Sequence, residues 1–197
     1  MAEYGWVAPK GLAHLDKLAT LLADPTAVPE GVRSVCTVLL ESLALLDRQI
    51  AALDKEIVRR SREDEIARRL MTIPGIGPIT ATAITALAPP PGTFAKGRDF
   101  AAWVGLTPRQ HSTGGKQKLG AISKMGERTL RRLLIIGSSA VVLQASRRGA
   151  PRGSWLEQML ARKPRMLVTV ALANKTARIV WALLMKNEDY RAPVVAA

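Results

Sequence analysis

The chain has 197 residues, the size of one large domain or two small ones, with 29 Lys and Arg against 16 Asp and Glu and a net charge of +13. An apolar content of 48% excludes a disordered basic tail, and one cysteine with two histidines excludes both an internal disulfide and a structural zinc site. The positive excess lies wholly in the second half: residues 1–90 carry 10 basic and 11 acidic side chains, and residues 91–197 carry 19 and 5. A footprint for a polyanion produces such a split, whereas a uniform role in solubility does not require it.

The N-terminal stretch MAEYGWVAPK lacks the basic-then-apolar pattern of a secretory signal. The charge-free apolar run Leu133–Ser146 is 14 residues, too short to cross a bilayer. These features predict a cytoplasmic protein with no membrane partner. Residues 9–23 predict a short helix with Leu12, Leu15, Leu18 and Leu22 on one face, broken by Pro25 and Pro29. Then Val32, Cys36, Leu39, Leu43, Leu46, Ile50, Leu53 and Ile57 recur at steps of four and three, a heptad seam with charges of both signs between its positions. The seam predicts a coiled coil joining two or more copies of the chain; one long helix packing on its own domain is the alternative reading. Cys36, on the seam, reads as a packed thiol.

The charged residues 59–69 lead into LMTIPGIGPITATAITALAPPPG, which Pro89, Pro90, Pro91 and Gly92 end. Residues 93–104 predict a helix with Phe100 and Trp103 inward. Residues 105–120, with four glycines and a proline, predict a loop. Residues 127–145, Trp155–Arg162 and Met166–Lys186 predict further helices, with Trp155 and Trp181 in the core. No strand alternation is visible. The fold class is therefore all-α: an N-terminal helix and coiled-coil segment at 1–61, a helical domain at 62–190, and a tail at 191–197.

Two motifs carry candidate chemistry. Ile73-Pro74-Gly75-Ile76-Gly77-Pro78 resembles a helix-hairpin-helix element spanning 68–88. Gly75 and Gly77 permit unusual backbone angles and close approach of a DNA phosphate. The following helix aims its free N–H groups at that phosphate, with Arg68 and Arg69 beside it and Ile73 and Ile76 pinning the turn. Such contacts would not read sequence, because phosphates carry no base identity. A plain Gly-Pro turn is the alternative. The second motif runs from Gly105 to Gly126 and mixes hydroxyls, glycines and cations. Between residues 107 and 132 stand Arg109, Lys116, Lys118, Lys124, Arg128, Arg131 and Arg132 against one acid. Spacing alone leaves two readings, a phosphate-gripping loop built on Gly114 and Gly115 and a nucleophilic hydroxyl flanked by cations. His111, adjacent in sequence, is a weak candidate base. The arginines at 128, 131 and 132 read as phosphate contacts.

Together the stretches LMTIPGIGPITATAITAL and WVGLTPRQHSTGGKQKLGAISKMGERTLRRLLIIGSSA resemble the C-terminal transposase domain of the IS-one-ten family of bacterial insertion sequences, in its IS-eleven-eleven branch. The resemblance covers about residues 60–190, and the segment before it resembles the family's coiled coil. It implies a serine-dependent DNA recombinase that binds element ends, works in DNA transposition and, in studied members, uses a structured guide RNA. The family's serine maps to Ser112, with Thr113 the second candidate, and the implied step is attack on a DNA phosphate to leave a phosphoserine link. The family also carries an N-terminal RNase-H-like domain whose acidic residues hold Mg²⁺. This sequence starts just before the coiled coil, so the resemblance implies a truncated transposase with no metal site or cofactor of its own, either contributing Ser112 to a composite site or acting as a non-catalytic DNA-binding module.

Overall fold

Ten elements follow one another along the computed structural model, which describes residues 2–5, 7, 11, 14–111, 115, 116 and 118–192. They are α1 (Leu15–Ala23), α2 (Glu30–Glu63), α3 (Glu65–Leu70), α4 (Pro78–Leu87), α5 (Gly97–Trp103), β1 (Pro108–Gln110), β2 (Leu119–Ile122), α6 (Arg128–Arg148), α7 (Trp155–Arg162) and α8 (Arg165–Lys186). The fold is mostly helical, as the sequence predicts. The chain divides into two units, residues 1–56 and 57–197.

In the first unit the described part of the predicted 9–23 helix is α1, Leu15–Ala23, with Asp24 as its C-terminal cap. The Asp24 carboxylate accepts from the hydroxyl of Thr26 at 2.6 Å and from its N–H at 2.8 Å, which holds it below the usual carboxylate range. Helix α2 begins directly after Pro29 and runs for 34 residues. Its seam positions Leu39, Leu46, Ile50 and Leu53 are each more than half exposed.

The second unit is organised on α8, against which α3, α5, α6 and α7 all pack. Small residues make this possible: Thr169, Ala173, Thr176 and Ala177 are buried and let neighbouring backbones approach. Gly97 belongs to the same contact, because a Cβ there would stand 3.1 Å from the Arg178 carbonyl oxygen. Leu70, Ile84, Phe100, Leu106, Leu130 and Leu134 fill the core. Phe94, Phe100 and Trp103 form an aromatic trio with centroids 5.4 to 5.9 Å apart. Trp181 is half-buried, its Nε1 donating to the Pro91 carbonyl at 3.1 Å. Trp155 is also only partly buried, and the Lys175 ammonium stands 4.6 Å from its ring centroid. Among the described helices α8 alone has the length and hydropathy of a bilayer span; Val168, Ala173, Ala177, Val180 and Leu183 are buried in this core, while Met166, Leu167 and Met185 are exposed.

The predicted loop at 105–120 is corrected. Strands β1 and β2 pair antiparallel, Pro108 opposite Ile122 and Gln110 opposite Leu119, with a bulge between. Only Ile122 of the ribbon is partly buried, against the core, so no hydrophobic alternation marks the strands in the sequence.

Candidate nucleic-acid interface

Helices α3 and α4 pack as a hairpin. Asp64 caps α3 by accepting from the Ile66 N–H at 2.9 Å, and Ala67 and Leu70 bury its inner face. The turn closes through Ile76 N–H to the Ile73 carbonyl at 3.0 Å, with both isoleucines buried. Helix α4 opens at Pro78 with Gly77 as its N-cap in extended backbone and no side-chain cap. The Ile79 and Thr80 N–H groups therefore lack a capping acceptor, which is the arrangement that attracts an anion.

The two glycines of the turn do different work. A Cβ on Gly77 would meet nothing within 4 Å. Gly75 has φ +88° and faces α6, where a Cβ would stand 2.8 Å from the Gly137 carbonyl oxygen and 3.0 Å from Val141. The missing side chain of Gly75 thus admits helix α6. Arg69 is engaged within the fold. Its guanidinium donates to Glu65 at 2.8 Å and to Asn187 Oδ1 at 2.9 Å, and its side chain is only 14% exposed, so it ties α3 to the end of α8. Arg68 is exposed.

The ribbon rises from a tight base. The Lys124 N–H donates to the Gly105 carbonyl at 3.1 Å and the Glu127 N–H to the Trp103 carbonyl at 3.2 Å. Gly105 and Gly126 have φ +80° and +106°, and a Cβ on either would strike backbone of the opposing segment. Arg131 Nη1 donates to the Val104 carbonyl at 2.9 Å, closing the C-terminal end of α5. It is half-buried and serves the fold through this bond. Arg109 Nη2 donates to the Ser123 carbonyl at 3.1 Å across the ribbon, and the guanidinium stays exposed. The imidazole of His111 lies over Gly120. Gly115, Lys116, Lys118 and Lys124 are exposed, as are Arg128 and Arg132 on the first turn of α6. Ser112, Thr113 and Gly114 lie outside the described residues.

Hairpin and ribbon do not merge into one patch. The hairpin meets α6 at Gly137 and Val141. At about 100° per residue, Arg128 and Arg132 fall on roughly the opposite side of that helix.

Residues 67–152 match the sequence model of the Transposase IS116/IS110/IS902 family. The chain is 43% identical over 194 residues to a Pseudomonas aeruginosa protein named "Probable family 20 transposase", which covers 97% of this chain and 57% of the relative. It is 37% identical over 183 residues to the transposase for insertion sequence element IS1328 of Yersinia enterocolitica, covering 93% of this chain and 54% of the relative. It is 33% identical over 193 residues to the transposase for insertion sequence element IS1111A of Coxiella burnetii, covering 97% and 53%. The chain belongs to the IS110 transposase family.

The matched segment of this IS110-family chain contains the hairpin turn, the ribbon, α6 and the glycines that pack them. The chain spans about half the length of the curated relatives it matches. Its carboxylates do not fit a Mg²⁺ site. Glu127 accepts from the Thr129 N–H as the cap of α6, Asp99 accepts from the Lys96 N–H at the start of α5, and Glu157 accepts from the Gly153 N–H. No group of three metal-ligating side chains comes together among the described residues. Sequence reasoning missed Gly137. Its signal was present: a glycine inside an apolar helix costs about 1 kcal/mol against alanine, so it needs a packing reason.

Proposed function

We propose that this chain is the DNA-binding part of an insertion-sequence transposase and contributes Ser112 to strand cleavage and rejoining. One observation carries the DNA-binding half of the reading. Lys116 and Lys124 beside the ribbon strands, and Arg128 and Arg132 at the start of α6, stand exposed with no carboxylate in ion-pair distance among the described residues, and the ribbon rises from a glycine-clamped base. Such cations suit a phosphate backbone, whose neutralisation releases counterions. The helix-hairpin-helix reading of α3 and α4 rests on the open, uncapped start of α4 at Gly77, with Arg68 nearby. Through α2, two or more copies of the chain associate as a coiled coil. A structured guide RNA is a further partner consistent with the same cations.

In the cleavage step the Ser112 oxygen bonds phosphorus, the bond from phosphorus to a sugar oxygen breaks, and that oxygen leaves carrying the serine proton. The phosphoserine link keeps the phosphodiester energy for rejoining. Thr113 stands next in line as nucleophile. The commitment of Glu127, Asp99 and Glu157 to backbone N–H groups favours a second reading, a DNA-binding module that does not cut.

The test is denaturing-gel capture of labelled element-end DNA by this chain together with a full-length relative. Ser112→Ala abolishes the covalent adduct and leaves salt-sensitive binding intact. An adduct that survives both Ser112→Ala and Thr113→Ala removes the hydroxyls from the mechanism. Salt-sensitive binding with no adduct in the unaltered chain selects the non-cutting module.

A further inference from the structure

A second group of cations gathers where α6 ends and α7 gives way to α8. Residues 145–165 hold Arg147, Arg148, Arg152, Arg162, Lys163 and Arg165 against one acid, Glu157. All six cations are exposed. The Glu157 carboxylate is occupied by the Gly153 N–H, and none of the six has an ion-pair partner among the described residues. Six like charges that fold into one corner repel each other and bring no stability to the chain, so the corner suits an anionic partner. A cleft of about 520 Å³ opens between the two segments, lined by Ser146, Gly149, Leu160, Lys163 and Arg165 together with the backbone-bonded Glu157. It brings the end of α6 and the α7–α8 turn to one surface. Gly149 adds no bulk there, since a Cβ on it would meet nothing within 4 Å.

The position of this corner relative to the hairpin decides its partner. Gly137 and Val141, which receive the hairpin turn, and Arg148 are spaced at i, i+4 and i+11 on α6. Those positions fall on one stripe of a helix, so Arg148 stands in line with the hairpin seat about 16 Å further along the axis. That distance equals about five base pairs of duplex, at 3.4 Å each along a strand.

From this we infer that the cationic corner of Arg148, Lys163 and Arg165 is a second backbone-contact site for duplex DNA, holding the helix whose phosphate sits at the Gly77 end of the hairpin. The inference rests on the DNA-binding reading above. It assigns to the hairpin the cations that Arg69 fails to supply, on the stripe of α6 that faces away from Arg128 and Arg132. Because every contact is to phosphate, the site lengthens the footprint without adding sequence preference.

Fluorescence anisotropy with a 20-base-pair duplex of arbitrary sequence, titrated between 50 and 200 mM salt, tests it on the full chain. The variant R148Q/K163Q/R165Q is expected to bind about tenfold more weakly, with a salt slope shallower by about 2 to 3, since each lost phosphate contact removes about 0.9. The replaced side chains are exposed, and an unchanged melting temperature verifies that the variant folds. An unchanged affinity and slope overturns the inference while the ribbon variant K116Q/K124Q/R128Q, weakened in the same assay, keeps the DNA-binding reading standing. Absence of salt-dependent binding in the unaltered chain overturns that reading and the inference with it. A loss confined to duplex RNA of equal length overturns the assignment to DNA.

Discussion

Gly75 and Gly77 stand two positions apart in one turn, yet their surroundings demand glycine for opposite reasons. Gly75 has φ +88° and sits against Gly137 of α6, so a methyl group there meets both backbone strain and a carbonyl oxygen at 2.8 Å. Gly75→Ala should therefore lose about 1–3 kcal/mol in chemical denaturation. Gly77 has extended backbone and open space, so its glycine answers to something other than the chain itself. Gly77→Asp places a favourable cap at the start of α4, so the melting temperature should hold or rise. The same carboxylate would occupy the N–H groups and repel a phosphate, and DNA affinity should fall about tenfold at 0.1 M salt. Equal affinity in Gly77→Asp would show that the hairpin does not touch DNA. The motif was legible as a turn with small residues. Which glycine faces the core and which faces outward was not, because that depends on where α6 passes.

Helix α2 was legible almost whole, since a heptad repeat needs no tertiary information. What the repeat binds is a separate matter. Leu39, Leu46, Ile50 and Leu53 remain more than half exposed along 34 residues, and such a stripe is covered when two helices pair. Sedimentation of the unaltered chain should show a dimer or higher species, and Leu46→Glu with Ile50→Glu should give monomer with its helical content retained. Persistence of the dimer in that variant would move the association to another surface. The ribbon stands at the other extreme of legibility. Strands of three and four residues, exposed except at Ile122, leave no alternation to read. Only the close approach of Gly105 and Gly126 to facing backbone betrays it, and that approach exists only after folding.

Over the whole molecule, the charge split predicts how binding should respond to salt. The excess belongs to residues 91–197, and twelve of its exposed cations gather in two groups, one at the ribbon and the start of α6 and one at the α6–α8 corner. Phosphate contacts do not distinguish base pairs, so two unrelated 20-base-pair duplexes should bind within about threefold of each other, and affinity should fall steeply as salt rises. A large preference for one duplex would require contacts to base edges instead. Not every arginine takes part. Arg69 and Arg131 have the composition of a DNA surface and the geometry of a brace, holding Asn187 and the Val104 carbonyl respectively.

From the amino-acid sequence alone came the helices, the seam, the hairpin turn and the half of the chain that carries the charge. All of these follow from local periodicity, backbone preferences and counting. Folding alone decided which cations are spent on carbonyls, that Gly137 is the partner of Gly75, and that the hairpin seats on the side of α6 away from Arg128 and Arg132. Those outcomes depend on the phase at which one helix passes another. A side chain's phase on a distant helix is set by packing, and no local pattern encodes it.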